Sequence, residues 1–405
     1  MRRLPIRRAL LLAVASIACA AATTATAAAP PIQPRLTKAL TGPSLSLGRT
    51  AALAVNAATG EVIYAHNSSL PVAPASNEKI PVSWAALTSL GTGYRFHTEV
   101  YGTGTRSGNA WVGDLILKGF GDPTLTTADL NRLAGTISGR GIRTVSGRIL
   151  GDESFYDSKR GAAGWKHYFI GGETPPLSAL VVDRAHGWPA LSPPLLAARA
   201  FREALTRRGV TVVGRPGTGI APEDAMTLAS DVSDPLAAIV RHMNHESDNF
   251  YAEMLLKQLP AAEGKAGTSA GGGRLVIATM REAGILVEGV RMVDGSGLSS
   301  LDRLTAAALV GVIEAGATDS AVRSAFIGSL AVAGVSGTLS RRLPALRGQV
   351  KGKTGTTNLA CTLSGLIRHE VVFAVLENGS PVSSWAARSA QDKFVTILAN
   401  ATPSR

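Results

Sequence analysis

Val350-Lys351-Gly352-Lys353-Thr354-Gly355-Thr356-Thr357 is the stretch on which the fold turns. A chain of this composition supplies Lys-Thr-Gly only about a tenth of a time by chance. A glycine on a strand lets a ligand's backbone approach closely. Beside it, Lys353 and Thr354 offer a charge and a hydroxyl to a carboxylate. The competing explanation is a tight turn whose lysine has no anion to bind.

Two further motifs lie upstream. Ser247-Asp248-Asn249 precedes Phe250-Tyr251-Ala252-Glu253-Met254-Leu255-Leu256, which has the texture of a helix. Ser, Asp and Asn are all good helix caps, so capping alone would explain this triplet. Ser76-Asn77-Glu78-Lys79 stands earlier. A serine hydroxyl is a poor nucleophile until a base takes its proton. On a helix, residues i and i+3 share a face, so Lys79 can reach Ser76. To act as base the lysine must be neutral, which requires burial or nearby positive charge. Composition supplies about one such spacing by chance, and a serine cap on an exposed helix would look the same. The weight lies in the ordered set Ser-x-x-Lys, Ser-x-Asn, Lys-Thr-Gly, a known signature of serine acyl-enzymes.

Outward from these motifs, strands open the chain, with a hairpin in 51–55 and 62–64 and a loop at 71–74. A helix starts at Ser76 and stops at Gly91. Pro81 sits early in it, tolerable in a first turn but not further in. From 96 to 225 short β-rich runs such as 110–117 and 147–150 alternate with glycine turns, and helices fit 125–138 and 194–208. After Pro235 helices fit 236–243, 249–258, 271–283 and 305–315. Strands return at 359–368 and 370–376, followed by a helix over 384–398. The economical arrangement is one sheet made from both chain ends and flanked by helices.

The composition, 45% hydrophobic and 17% charged over 405 residues, excludes a disordered chain. Arg2, Arg3, Arg7 and Arg8, the apolar 9–15 run and Ala25-Thr26-Ala27 read as a cleaved export signal over residues 1–29. The apolar stretch is too short to span a bilayer, so no stable transmembrane anchor is expected after cleavage. Net charge is +12, and without those four arginines it is +8. A basic exported protein suits an anionic envelope. No zinc-ligand spacing, RNA-binding aromatic motif or arginine-rich helix favours nucleic acid. Cys19 leaves with the signal. Cys361 alone then remains, in an apolar stretch that reads as a buried small residue.

At this point the chain resembles the β-lactamase and penicillin-binding protein superfamily. More narrowly, it resembles the D-alanyl-D-alanine carboxypeptidase/endopeptidase family of low-molecular-mass class C penicillin-binding proteins, peptidase family S13. Besides the three motifs, the resemblance rests on Pro74-Ala75-Ser76-Asn77, Gly121-Asp122-Pro123-Thr124, Ser178-Ala179-Leu180, Asp294-Gly295-Ser296-Gly297-Leu298-Ser299 and Ser336-Gly337-Thr338-Leu339. Ser76 and Ser247 are 171 positions apart, which leaves room for an inserted domain.

The resemblance implies an α/β (α+β) chain. Its catalytic domain, of β-lactamase/transpeptidase-like fold, is discontinuous over 30–95 and 226–405. It has an antiparallel sheet flanked by helices and a smaller α+β domain inserted at 96–225. A third domain nested in the insertion is expected to be absent or reduced. The implied activity is that of a serine-type D-Ala-D-Ala carboxypeptidase or endopeptidase on peptidoglycan stem peptides, in the periplasm or extracellular wall space, with β-lactams as inhibitors. Ser76 would be the nucleophile and Lys79 the base. The oxyanion would lie between the backbone N–H groups of Ser76 and Thr356. Ser247 and Lys353 would relay a proton to the leaving amine, and Asn249 would bind peptide backbone. Thr354 would bind the terminal carboxylate, and Thr354, Gly355 and Thr356 are the substrate-binding residues that the resemblance implies. No metal or organic cofactor is implied. The rival readings are a serine β-lactamase or esterase on the same fold and a catalytically silent envelope-binding protein.

Overall fold

Along Val371–Asn378 the side chains alternate between two cores. Val372, Ala374 and Leu376 pack with Ile80, Leu87, Leu309 and Ile313. Val371, Phe373 and Val375 pack with Leu36, Leu40, Phe394 and Leu398. A strand buried on both faces has no polar side to show, so its sequence is an unbroken apolar run. The structure is a computed structural model and describes residues 31–401. The export-signal segment and Cys19 lie outside the described residues.

Six strands form the main sheet, in the order Ala331–Val332, Val350–Thr356, Ala360–Ile367, Val371–Asn378, Thr50–Asn56 and Val62–His66. Every neighbouring pair is antiparallel, and the register Thr50 to Glu377 joins the two ends of the chain. Helices Ile32–Ala39 and Ser384–Ala401 cover one face. Helices Lys79–Leu90, Leu236–Glu246 and Ala306–Thr318 cover the other. Helix Asn249–Ala262 runs beyond the expected 258, and its Pro260 falls in the last turn.

Between these parts, a second sheet of five strands carries its own core, in which Val100, Leu117 and Ile149 meet Leu133 and Phe201. Two helices cover it, Thr127–Gly139 and Pro193–Arg207. The first begins where Thr126 and Asp129 form a reciprocal cap, which satisfies the orphan donors of its opening turn. Strand Met226–Val232 lies past the expected boundary at 225, yet it pairs with His97–Gly102 in this sheet. The five-stranded sheet therefore ends at Val232. A third sheet has four strands, each of two or three residues. Its Trp111, Val145 and Val212 belong to the same core as Val100 and Leu117, so it has no separate interior. Among the described residues no helix is long and apolar enough to cross a membrane.

Candidate active site

Residues Ala75–Glu78 form a 3-10 turn that leads into the α-helix Lys79–Leu90. At three residues per turn, positions i and i+3 eclipse. Lys79 Nζ accordingly lies 3.1 Å from Ser76 Oγ. Pro81 falls in the first turn of the α-helix, where a missing N–H costs nothing, so the pair forms despite it. Ala75 has φ +46°, a left-handed conformation that a non-glycine residue holds only under constraint. The constraint comes from strand Ala360–Ile367. Asn77 Nδ2 donates to Thr362 Oγ1 at 2.5 Å, and Asn77 Oδ1 accepts from Ser364. Thr362 Oγ1 in turn donates to the Pro74 carbonyl at 2.9 Å.

Lys79 is fully buried and has three partners: Ser76 Oγ, Asn249 Oδ1 at 2.8 Å and the Ser296 carbonyl at 2.8 Å. Two of these are pure acceptors. A neutral amine would give its two hydrogens to them and turn its lone pair to the Ser76 hydroxyl. Burial pushes Lys79 down from 10.5 to about 8, against the pull of Asp294, Glu253, Asp248 and Glu78. Part of that pull is muted. Burial holds Glu78 well above the carboxylate range, and burial plus the Asp294 charge pushes Glu253 up to about 8. A carboxyl that keeps its proton no longer stabilises a neighbouring ammonium.

Lys353 is also fully buried. Burial, then the charge of Lys79, holds it well below its ordinary value. Its Nζ donates to Ser247 Oγ at 2.8 Å and to the Thr354 carbonyl at 2.8 Å. Ser247 ends helix Leu236–Glu246 with φ +58°, which turns its hydroxyl toward Lys353. Asp248 takes the capping role, accepting from Tyr251 N at 3.2 Å and pairing with Arg184 at 2.9 Å. The triplet thus divides: its middle residue caps the helix while Ser247 and Asn249 meet the two lysines.

The remaining expected positions line the same cleft, about 530 Å³ in volume and bounded by Ser76, Ser247, Thr338, Thr354, Thr356 and Arg388 among others. Thr354 Oγ1 donates to Thr338 Oγ1 at 2.8 Å. Gly355 has a different physical reason from the one its strand position suggests. What approaches it closely is Thr362 Oγ1 and the 75–78 turn, since a Cβ there would stand 2.4 Å from Thr362 Oγ1, 2.7 Å from Ser76 N and 3.1 Å from Ala75 Cβ. Asn249 is likewise engaged within the protein, its Nδ2 donating to the Glu173 carbonyl at 3.1 Å.

Four contributors carry no sequence signal of their own role. The Ser296 carbonyl that receives Lys79 belongs to a loop tied down by buried carboxylates. Glu253 Oε1 accepts from Gly295 N at 2.9 Å and Ser296 N at 2.8 Å, and Asp294 accepts from Gly297 N and Ser299 N, each at 2.7 Å. Arg388 Nη2 reaches Thr356 Oγ1 at 3.3 Å from the last helix. Cys361 is buried, as expected, and free. Among the described residues no cluster of His, Cys, Asp and Glu is arranged to hold a metal ion.

This geometry has counterparts. The solved penicillin binding protein 4 of Haemophilus influenzae superposes with a TM-score of 0.80 at 21% identity, over 90% of this chain and 99% of its own; at that identity the likeness is one of fold. A D-alanyl-D-alanine carboxypeptidase of Actinomadura sp. (strain R39) is 29% identical over 89% of this chain and 83% of its own length. Carboxypeptidase DacB of Mycolicibacterium smegmatis is 30% identical over 90% of this chain and 82% of its own. The model of the D-Ala-D-Ala carboxypeptidase 3 (S13) family matches residues 32–194 and 187–401. With nearly all of its described length matched, the chain belongs to the D-Ala-D-Ala carboxypeptidase 3 (S13) family.

Proposed function

We propose that the protein is a penicillin-sensitive serine D-Ala-D-Ala carboxypeptidase acting on peptidoglycan stem peptides, with Ser76 as nucleophile. The observation that carries this is the paired arrangement of the buried Lys79 on Ser76 Oγ and the buried Lys353 on Ser247 Oγ, across one cleft. Lys79 takes the Ser76 proton as Oγ attacks the carbonyl between the two D-residues. The oxyanion is received by the backbone N–H groups of Ser76 and Thr356. In measured cases one such donor is worth about 3 kcal/mol of barrier. The leaving nitrogen takes a proton through Ser247 and Lys353 and departs as an amine. Water, activated by the same lysine, then attacks the ester and frees Ser76.

The substrate carboxylate lies against Thr354, Thr356 and Arg388. The acyl portion lies in an adjoining cavity of about 440 Å³, which shares Thr356 with the cleft and is bounded by Ala75, Tyr168, Phe169, Leu298 and Leu359. Asn249 acts as a positioning residue: its Nδ2 is anchored on the Glu173 carbonyl while its Oδ1 accepts from Lys79. Placement in the periplasm or extracellular wall space follows from the substrate and from the export-signal pattern of residues 1–29.

The test is labelling with a fluorescent penicillin alongside D-Ala release from a stem pentapeptide. Both are expected from the wild type, and neither from Ser76→Ala. Labelling that persists in Ser76→Ala overturns the assignment.

A further inference from the structure

Asp248 stands between the two residues that meet the buried lysines, Ser247 on Lys353 and Asn249 on Lys79. Each of its carboxylate oxygens has a partner. Oδ1 accepts from Tyr251 N at 3.2 Å, and Oδ2 accepts from Arg184 Nη1 at 2.9 Å. His242 Nε2 lies 3.5 Å from the same Oδ2, its ring tilted on Tyr251 at 4.5 Å between centroids. Helix capping accounts for the first oxygen only. The second is given to an arginine that is 64 positions distant in the chain.

Arg184 is the middle of three consecutive residues, Asp183, Arg184 and Ala185, with φ of +47°, +57° and +57°. None of them is glycine. Left-handed backbone is uncommon at a single such residue, and it persists only where the surroundings over-determine it. Here the surroundings do so from both ends. The Asp183 carboxylate accepts from Thr127 N at 3.2 Å and from Thr127 Oγ1, at the start of helix Thr127–Gly139. Ala185 is buried with Phe250 and Met254 of helix Asn249–Ala262. Between these anchors the Arg184 guanidinium lies 5.5 Å from the Phe250 ring centroid and reaches Asp248. Its side chain is 47% exposed, and an ion pair so open to water contributes little to stability. Fold stability therefore gives no reason for the strained turn that presents it. The same stretch of chain, between strand Ile149–Asp152 and helix Pro193–Arg207, touches the triplet a second time, where the Glu173 carbonyl accepts from Asn249 Nδ2 at 3.1 Å.

We propose that Arg184 is a positioning residue for acylation, acting through Asp248 on Ser247 and Asn249. The proposal rests on the functional reading above, in which Lys79 serves Ser76 and Lys353 works with Ser247. The backbone through Asp248 sets the separation between Ser247 Oγ on Lys353 and Asn249 Oδ1 on Lys79, each at 2.8 Å. Arg184 holds that backbone from outside. It lines neither the cleft nor the adjoining cavity, so it acts on the rate and not on the binding of a ligand. Without it Asp248 keeps its bond to Tyr251 N but loses the tie that fixes its other oxygen. Small displacements of this kind at reacting groups are costly in rate.

Four variants test it in the full chain: Arg184→Gln, Arg184→Lys, Asp248→Asn and the double Arg184→Gln with Asp248→Asn. Acylation by a fluorescent penicillin is followed on the plateau above about pH 8, where the charge of Lys79 no longer enters, with a thermal melt of each variant. Arg184→Gln is expected to lower the limiting acylation rate about tenfold and to leave the dissociation constant of the noncovalent complex within about twofold. Arg184→Lys restores a cation to Asp248 and should recover most of the loss. The double variant should be no slower than the slower single, because both changes remove one tie. An Arg184→Gln enzyme acylated at the wild-type rate overturns the proposal. So do losses that add in the double variant, and so does a loss that follows the melting temperature and is not restored by Arg184→Lys. A wild type that penicillin does not acylate at Ser76 overturns the functional reading and this proposal with it.

Discussion

Gly355 and Ser76 stand so close that the strand and the turn Ala75–Glu78 share one contact surface: a Cβ on Gly355 would come within 2.7 Å of the Ser76 backbone nitrogen. The same Cβ would press on Thr362 Oγ1, which holds the turn through Pro74 and Asn77. Gly355→Ala must therefore push Ser76 away from strand Val350–Thr356. A displacement of about 1 Å at a reacting group costs on the order of 10²-fold in rate. The expected outcome is a loss of about that size in the second-order rate of penicillin acylation, with the protein still folded by circular dichroism. An acylation rate within a few-fold of wild type would show that the turn tolerates the shift.

Lys79 sets the second prediction. Its ordinary value of 10.5 falls to about 8 on burial, so the neutral, proton-accepting form grows as pH rises through about 8. Acylation, followed as kcat/KM at saturating stability, should climb through that range and level above it. Lys79→Arg retains a cation but supplies no accessible base. It should lose about 10²–10⁴-fold and show no rise near pH 8. A wild-type profile flat between pH 6 and 9 would contradict the role given to Lys79.

Much of this frame could be read from sequence, and the reasons differ by element. The run 370–376 was legible as a strand, and the structure adds that both of its faces meet cores. The Lys353 triplet stood out because its composition is rare. The 3-10 turn at Ala75–Glu78 could not be told from an α-helix, since both bring i and i+3 together. Met226–Val232 is not among the strands read above, and local pattern does not say which sheet a strand joins, so the end of the five-stranded sheet could not be placed. The Ser296 carbonyl is a backbone atom with no side-chain signature, although its loop was noticeable for Asp294 and its glycines. Arg388 is one basic residue among many until the last helix is docked against Thr356.

Glu253 provides the third prediction. It is buried beneath the Ser296 loop, and its proton comes off near the same pH as that of Lys79, about 8 in each case. Two such groups titrate as a pair. When Glu253 ionises it strengthens the hold of Lys79 on its own proton, which broadens the wild-type rise and carries it upward. Glu253→Gln keeps an oxygen for the Gly295 and Ser296 N–H groups but removes the charge. The rise in acylation rate should then become narrower and move to lower pH, with the plateau rate retained. An unchanged profile would mean that this carboxyl does not feel Lys79.

The contact between Tyr156 and helix Asn249–Ala262 gives the fourth. Tyr156 Oη donates to Gln258 Oε1 at 2.5 Å, with the Met254 carbonyl also near at 3.2 Å. Tyr156 follows strand Ile149–Asp152 of the five-stranded sheet, while Gln258 lies on helix Asn249–Ala262, which begins with a lysine-contacting asparagine. Gln258 Nε2 reaches on to Tyr94 Oη at 2.7 Å, so the amide is locked in orientation. Tyr156→Phe keeps the ring and leaves Gln258 Oε1 buried without its donor. An orphaned buried acceptor costs about 1–3 kcal/mol. Urea unfolding should report a loss of that size, while the acylation rate at Ser76 stays near wild type because the hydroxyl lies outside the cleft. A variant as stable as wild type would mean that Gln258 finds another donor. A variant that is stable but slow to acylate would mean that this contact governs the site rather than the fold.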